Sequence, residues 1–336
     1  MYIKVMKNII VGIVCICTIV ACKNNKESTP LPESSIKNDI PENVYIVGSR
    51  HGAAVLWNNY QEFYLTKTYT NSDAHFIEIV GEDVYIAGTE GGLPVYWKNG
   101  IKFPLPLMFL GEASSFLLKL KVEGNEVHVI GNVKHSVNSK DSLVKAYYWK
   151  NSLPITLQTT DRPSLAFSML SHYGVVYVCG EAGEKAVVWR DGIPKILNDH
   201  GYTHSIFTHE SDIFVAGQER KGYSAIDIFW KNFTSIDKVS FEKVIKSKNY
   251  GRDVHEIVMK DYLPYYYKNG TPQTISNTTP SYSPTHVLAK NGKVYFLGSL
   301  FGKFGHFSPA FCEDGNCFMF ADEEKYVYVN DMQVKD

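Results

Sequence analysis

Three histidines hold matching places in a chain that otherwise offers little reactive chemistry. His75 and His204 each stand nine residues before the first residue of an aliphatic–aromatic phrase, at Val84 and Ile213, and His286 stands eight before Val294. Ser115 lies near the equivalent place ahead of Val127, and Phe167 takes it ahead of Val176. An imidazole changes charge between about pH 5 and 8, so histidines repeated at one strand position could form a polar pocket on which several repeats converge. The competing reading is structural: partly exposed, hydrogen-bonded side chains at strand starts. A metal is the weaker option, because three ligands from separate repeats would have to meet within about 2 Å of one ion. His200 and His209 read as loop and turn residues. His128 and His255 replace a Tyr of the repeated phrase and read as packed side chains.

Other reactive patterns are missing. The sequence has no phosphate-binding P-loop, no HExxH, no EF-hand run and no GxSxG. His209-Glu210 lacks the second His of a zinc-protease helix, and no Ser-x-Asp-x-Gly-x-x-Trp box of sialidase type occurs. Glycoside hydrolysis needs two carboxylates across the scissile bond, and the acids here are scattered among turns. The sequence therefore names no catalytic residue, no metal and no cofactor. It favours a non-catalytic binding or scaffold module for protein or glycan over an enzyme acting on extracellular polysaccharide.

The elements that carry the histidines are repeats. The phrase Val-Tyr-aliphatic-x-Gly recurs with its glycine at Gly48, Gly88, Gly131, Gly180, Gly217 and Gly298, and a degenerate copy places Val258 there. A short apolar run closing in Trp follows five of them: Trp57, Trp97, Trp149, Trp189 and Trp230. Tyr267 and Cys312 take that place in the last two units. Lys-Asn-Gly after the Trp supplies the positive-φ residues of a tight hairpin. An apolar run and a turn precede each Val-Tyr phrase, and a fourth, often Pro-bearing strand follows. Four strands every 40 to 50 residues is the period of a propeller blade, so seven units predict an all-β, seven-bladed β-propeller over residues 40–336. The fixed repeat position of the tryptophans argues for packing between blades, not for sugar platforms.

Composition agrees. With 44% hydrophobic residues the chain is not disordered, and 22 Tyr with 18 Phe suit strands. A net charge of −1 argues against a nucleic-acid partner. The last strand-like run, Tyr326-Val-Tyr-Val329, has no place in the seventh unit and is expected to pair beside Val44–Gly48, closing the ring. Cys312-Glu-Asp-Gly-Asn-Cys317 places two thiols across a tight turn, within bridging range, which favours a Cys312–Cys317 disulfide over a metal or redox site. Cys179 reads as a small buried residue.

Two resemblances follow. Asn291-Gly-Lys-Val-Tyr-Phe-Leu-Gly298 resembles kelch-type blades, although one Gly stands where kelch blades have a pair. The Trp-Lys-Asn-Gly endings resemble the HAF-type repeats of bacterial secreted proteins. At the N-terminus, Lys4 and Lys7 precede an apolar run from Ile9 to Val20, too short to span a bilayer. It ends in Ile19-Val20-Ala21-Cys22, which resembles the lipobox of bacterial lipoproteins. That resemblance implies a signal peptide over 1–21 and a diacylglycerol on Cys22. It also implies a membrane partner through the lipid anchor, and a cell-envelope address at the outer membrane, because Lys23 is not the aspartate of inner-membrane retention. Residues 22–39, polar and Pro-bearing, read as a flexible tether. Replacing Cys22 by Ala is expected to move the protein from washed membranes to the soluble fraction; unchanged membrane recovery would refute the anchor.

Overall fold

The computed structural model describes residues 44–335 except 59–60, 109–111, 137–141, 158–161, 210, 223, 237–243, 251–252, 261–262, 269–270, 274–281, 291–292, 302–306, 314–315 and 320–326. Cys22 and the leader and tether segments lie outside them. The described residues belong to one compact unit, Asp39–Asp336. They form strands and turns, arranged as four-stranded antiparallel sheets. Numbered by their second strands, the sheets are 1 (44–64 with 327–334), 2 (73–104), 3 (113–157), 4 (164–198), 5 (201–236), 6 (244–273) and 7 (282–319). The chain is all-β, as its repeat implies.

Turn chemistry sets the hairpins. Asn99-Gly100, Asn151-Ser152, Asp191-Gly192 and Asn232-Phe233 all have positive φ at both residues, the twist that suits a two-residue hairpin. The Asn or Asp is chosen for a second reason. Its side-chain oxygen accepts the N–H that opens the second strand of its own sheet: Val84, Val127, Val176 and Ile213 donate at 2.8–3.0 Å. Each third-to-fourth turn is thereby tied to the start of the second strand.

The repeated glycine answers a close approach. In sheet 2 the inner strand Asp73–Val80 pairs with Asp83–Glu90, and the register slips between Ala74 and Phe76, leaving His75 as the extra residue of a β-bulge. A Cβ on Gly88 would lie 2.1 Å from the Asp73 carbonyl oxygen and 3.0 Å from the Trp97 ring. Gly48, Gly180 and Gly217 face the carbonyls of Tyr328, Leu165 and Tyr202 in the same way, at 1.9, 1.9 and 2.3 Å. Inner strands of the other sheets slip at the matching place, so the bulge residues are Asn330, His75, Phe167, His204, Ile245 and Thr285. Sheet 3 accommodates the slip over Leu117 and Leu118, with Leu117 at φ 52°.

The tryptophans fill the gaps between sheets. All five are at most 2% exposed. Trp97 clusters with Val47 and Ala54 of sheet 1, Trp149 with Tyr85 and Tyr96 of sheet 2, and Trp189 with Ile130 and Tyr148 of sheet 3. Trp57 packs on Leu297 and Phe311 of sheet 7. Register places Cys312 opposite Phe296, the site that Trp97 takes opposite Ile86, and Cys312 is disulfide-bonded with Cys317 as its hairpin partner.

The C-terminal strand Val327–Val334 is the innermost strand of sheet 1, antiparallel to Val44–Arg50. It also bonds to sheet 2: Asp331 accepts from the Ile77 N–H at 3.2 Å, and Gln333 accepts from the Ile79 N–H. The strands Val44–Arg50 and Val327–Val334 therefore share one sheet, and the latter stitches it to the next.

Replacing Gly88 by Ala is expected to force the Asp73 carbonyl outward and lower stability by roughly 2–4 kcal/mol. Thermal unfolding indistinguishable from wild type would contradict the close approach.

Candidate functional site

A cavity of about 770 Å³ opens where the inner strands of sheets 1 to 3 begin. Its lining comes from three sheets and one connection. Ser49, His51 and Tyr328 belong to sheet 1, Tyr69, Asn71 and Ser72 to the connection, Asp73, His75 and Thr89 to sheet 2, and Ser114 and Ser115 to sheet 3.

Backbone hydrogen bonds fix this mouth before any ligand arrives. Tyr69 and Ser72 N–H groups donate to the His51 and Gly52 carbonyls at 2.8 and 2.9 Å. Gly92 N–H donates to the Asn71 carbonyl, and Ser115 N–H to the Gly92 carbonyl, so three sheets are chained around the opening. Tyr69 and Asn71 sit in the left-handed region, at φ 59° and 51°. That turn throws the Tyr69 ring outward, where it is 84% exposed, 6.3 Å from the His51 ring. Tyr328 is also exposed. The mouth thus carries aromatic faces above a polar floor.

Asp73 and His75 form the centre of that floor. Asn330 donates to Asp73 Oδ1 at 2.8 Å and to the Ala74 carbonyl at 2.9 Å. Burial pushes the Asp73 carboxyl up to about 6, against the opposing pull of hydrogen bonds from Asn330, Ser49 and the Ala74 N–H. Leu118 N–H donates to His75 Nδ1 at 3.2 Å, so the neutral ring keeps its proton on Nε2, which lies 3.6 Å from Asp73 Oδ2. Burial pulls His75 down to about 4. At neutral pH the pair is therefore an imidazole facing a carboxylate. Ser115 Oγ is buried with no hydrogen-bond partner among the described residues.

The structure brings together only part of the histidine set. His75 and Ser115 line the cavity; His204 and His286 do not. His204 is a bulge residue like His75, with its ring 6.2 Å from that of Tyr202. His286 is one place further along: Thr285 is the bulge residue, and His286 pairs in register with Leu297. That extra place is why it counted eight residues to the next strand instead of nine. Its Nε2 is 3.8 Å from Asp331 Oδ1. Ser115 matches Ser72 by register rather than His75, whose true counterpart in sheet 3 is Leu118. Among the described residues no three His, Cys, Asp or Glu side chains meet to hold a metal ion. The expectation that histidines titrate in the site between pH 5 and 8 is also corrected: His75 lies below that window, and Asp73 falls within it.

Sequence reasoning missed Asp73, Asn330, Tyr69 and Tyr328. The usable signal was Asp73 itself, two residues ahead of a bulge, where other inner strands carry Tyr328, Phe116, Leu165, Tyr202 and Ser283.

No protein-family model matches the sequence. No curated protein matches it either. Solved structures do match in fold. The acylaminoacyl peptidase of Pyrococcus horikoshii gives a TM-score of 0.51 at 12% identity, covering 84% of this chain and 52% of the peptidase. An acylaminoacyl peptidase complexed with Z-Gly-Gly-Phe-chloromethyl ketone gives 0.52 at 11%, covering 83% and 50%. The chain thus spans about half the length of these peptidases. The polysaccharide lyase Uly1 gives 0.50 at 8%, covering 93% of this chain and 95% of the lyase. At such identities the likeness establishes the propeller fold. The expectation of a non-catalytic binding or scaffold module finds no match among these neighbours, which are by name two peptidases and a polysaccharide lyase.

In a pH titration followed by NMR, the Asp73 carboxyl carbon is expected to shift with a midpoint near 6, while His75 stays neutral down to about 4. The reverse order, His75 titrating first as pH falls, would break the assigned pair.

Proposed function

We propose that the protein is a propeller enzyme acting on extracellular polysaccharide, with the cavity at the start of sheets 1 to 3 as its site and Asp73 as the proton acceptor. The observation that carries this reading is the half-buried Asp73–His75 pair, 3.6 Å apart, under a mouth rimmed by exposed tyrosines. A general base works best with a pKa near the working pH, and Asp73 lies at about 6. The faces of Tyr69 and Tyr328 suit the apolar faces of sugar rings, and the wide mouth suits a chain better than a small free metabolite.

The carboxylate count chooses the reaction. Asp73 is the sole carboxylate among the described lining residues, and hydrolysis of a glycosidic bond calls for two. Elimination from a uronic-acid unit needs one base. Asp73 takes the proton on the carbon beside the sugar carboxylate, a C=C forms, and the C–O bond to the leaving sugar breaks. The departing oxygen collects a proton from water at the mouth. The fold likeness to a polysaccharide lyase supports this choice.

The finer architecture belongs to the same reading. The seven sheets close as seven blades of kelch-like, HAF-type repeats, with a Cys312–Cys317 bridge in the last. Cys22 carries a lipid that holds the enzyme at the outer membrane.

The test is depolymerisation of a panel of acidic and neutral polysaccharides, read by ultraviolet absorbance of the new C=C. Wild type is expected to act on acidic polymers with an acidic limb near pH 6, and Asp73→Asn to lose about 10²- to 10⁴-fold in kcat. Full activity of the Asn variant, or no unsaturated product from any acidic polymer, would refute the assignment.

A further inference from the structure

Each sheet has two ends, and the cavity occupies one of them. It lies where second strands turn into third strands, at Gly52 and Gly92. The opposite end carries the third-to-fourth hairpins and the starts of the second strands, tied together by the Asn and Asp side chains of the turns. Val44 takes the place in sheet 1 that Val84 takes in sheet 2, since Tyr45 pairs with Asn58 as Tyr85 pairs with Lys98. Residues 1–43 therefore join the fold at the end away from the cavity.

That end is apolar along one arc. The first residue after the hairpin is Ile101, Leu153 or Ile193 in sheets 2, 3 and 4, at 59%, 70% and 73% exposure. Sheets 1, 5, 6 and 7 place Gln61, Thr234, Thr271 and Asn316 there, so neither the hairpin nor the strand requires an aliphatic side chain. The inner-to-second turn of sheet 4 adds Tyr173 to the same arc, 85% exposed. The three tips stand on sheets that touch. A Cβ on Gly192 of sheet 4 would lie 3.2 Å from Ile155 of sheet 3. Ser152 of sheet 3 hydrogen-bonds Tyr96 of sheet 2, whose ring stacks on Phe103. The turn lysines are spent on acids of their own sheets, Lys98 on Asp83 and Lys150 on Glu126, which leaves the aliphatic tips as the distinguishing feature of the arc.

We propose that this arc seats on a lipid bilayer, with Ile101, Leu153 and Ile193 entering the boundary between headgroups and acyl chains and the cavity turned away. A membrane is the occupant because the segment that carries Cys22 enters the fold at this end, with residues 23–43 between that cysteine and Val44. Aliphatic side chains beside an exposed tyrosine are the mixture that settles at a membrane–water boundary. The inference rests on the anchor reading of Cys22 for the presence of the membrane, and on the exposed arc for the face that meets it. It leaves Asp73 open to a polysaccharide chain that never has to cross lipid.

The experiment uses the full protein purified from its cells and reconstituted in vesicles of phosphatidylethanolamine and phosphatidylglycerol. A fluorophore is placed on Leu153→Cys or, at the cavity end, on Leu93→Cys; Cys179 is buried and Cys312 is bridged, so neither competes for the label. Nitroxide-bearing lipids are expected to quench the Leu153 label roughly threefold more than the Leu93 label. Combining Ile101→Ser with Ile193→Ser should remove that difference and keep the melting temperature, because both side chains are exposed. Mass spectrometry of the N-terminal peptide reads the anchor separately. A lipid on Cys22 with equal quenching of both labels would overturn the seating and leave the anchor standing. An unmodified Cys22 would sink the anchor reading alone. Flotation of that protein with vesicles, lost in the Ser variant, would still support the arc, and flotation unchanged in the Ser variant would overturn it. A dimer that the Ser variant breaks, with neither label quenched, would overturn the proposal in favour of a second copy of the chain.

Discussion

Everything in this structure depends on how closely the inner strand passes over the second. Where a Cβ on Gly48, Gly88, Gly180 or Gly217 would stand, a carbonyl of the neighbouring strand already lies within 2.3 Å. A side chain there is excluded by hard-sphere contact, and the space is shared with the indole of the third strand, about 3 Å away at Gly88, Gly180 and Gly217. The two recurrent letters of the repeat are therefore one device. The glycine lets the inner strand fold down over it, and the tryptophan caps the same spot while packing on the preceding sheet. The bulge that results inserts one unpaired residue per inner strand, and it is this residue, with its neighbours, that the fold hands over to function.

Because the device is nearly the same in each sheet, specialisation has to come from the residues placed at and around the bulge. In sheets 3, 4 and 6 the bulge carries Leu118, Phe167 and Ile245. In sheets 1 and 2 it carries Asn330 and His75, and the residue two ahead of His75 is Asp73. Burying a carboxylate there costs free energy. Hydrogen bonds from Asn330, Ser49 and the Ala74 N–H offset only part of that cost, so the carboxyl settles near 6 instead of near 4. Two contributors, Asn330 and the rim residue Tyr328, belong to the C-terminal strand. The site is complete only when that strand has joined sheet 1, which makes closure of the fold and assembly of the site the same event.

The repeat, its glycines, its buried tryptophans, the hairpin turns and the pairing of the C-terminal run with Val44–Gly48 were all legible in the sequence. Period, turn chemistry and the fixed place of a large apolar ring are local properties that survive without coordinates. The site was legible only in part. Counting back from the second strand puts His75 on the bulge of its inner strand, yet misaligns His286 by one residue and Ser115 by three, because the count runs through a bulge that composition does not announce. Asp73 passed as a turn acid, since nothing in Asn71-Ser-Asp-Ala-His75 tells that Asn330, from the other end of the chain, will stand against it. The histidine titration window was misjudged for a related reason: burial moves an imidazole down and a carboxyl up, so the two exchange roles near pH 6.

The aromatic residues follow the same logic. Tryptophan is the residue most often invoked for sugar binding, and here all five are spent on packing. The exposed rings at the mouth are tyrosines, and Tyr69 reaches solvent because a left-handed backbone turns it away from the body of the fold. A tyrosine tolerates that place better than a wholly apolar ring, since its hydroxyl stays wet while its face remains available. Below it, a single carboxylate and a neutral imidazole limit the proton chemistry to one acceptor. Rim and acceptor come from sheets 1 and 2 and the connection between them, so a ligand that spans the mouth meets one proton acceptor beneath two exposed rings.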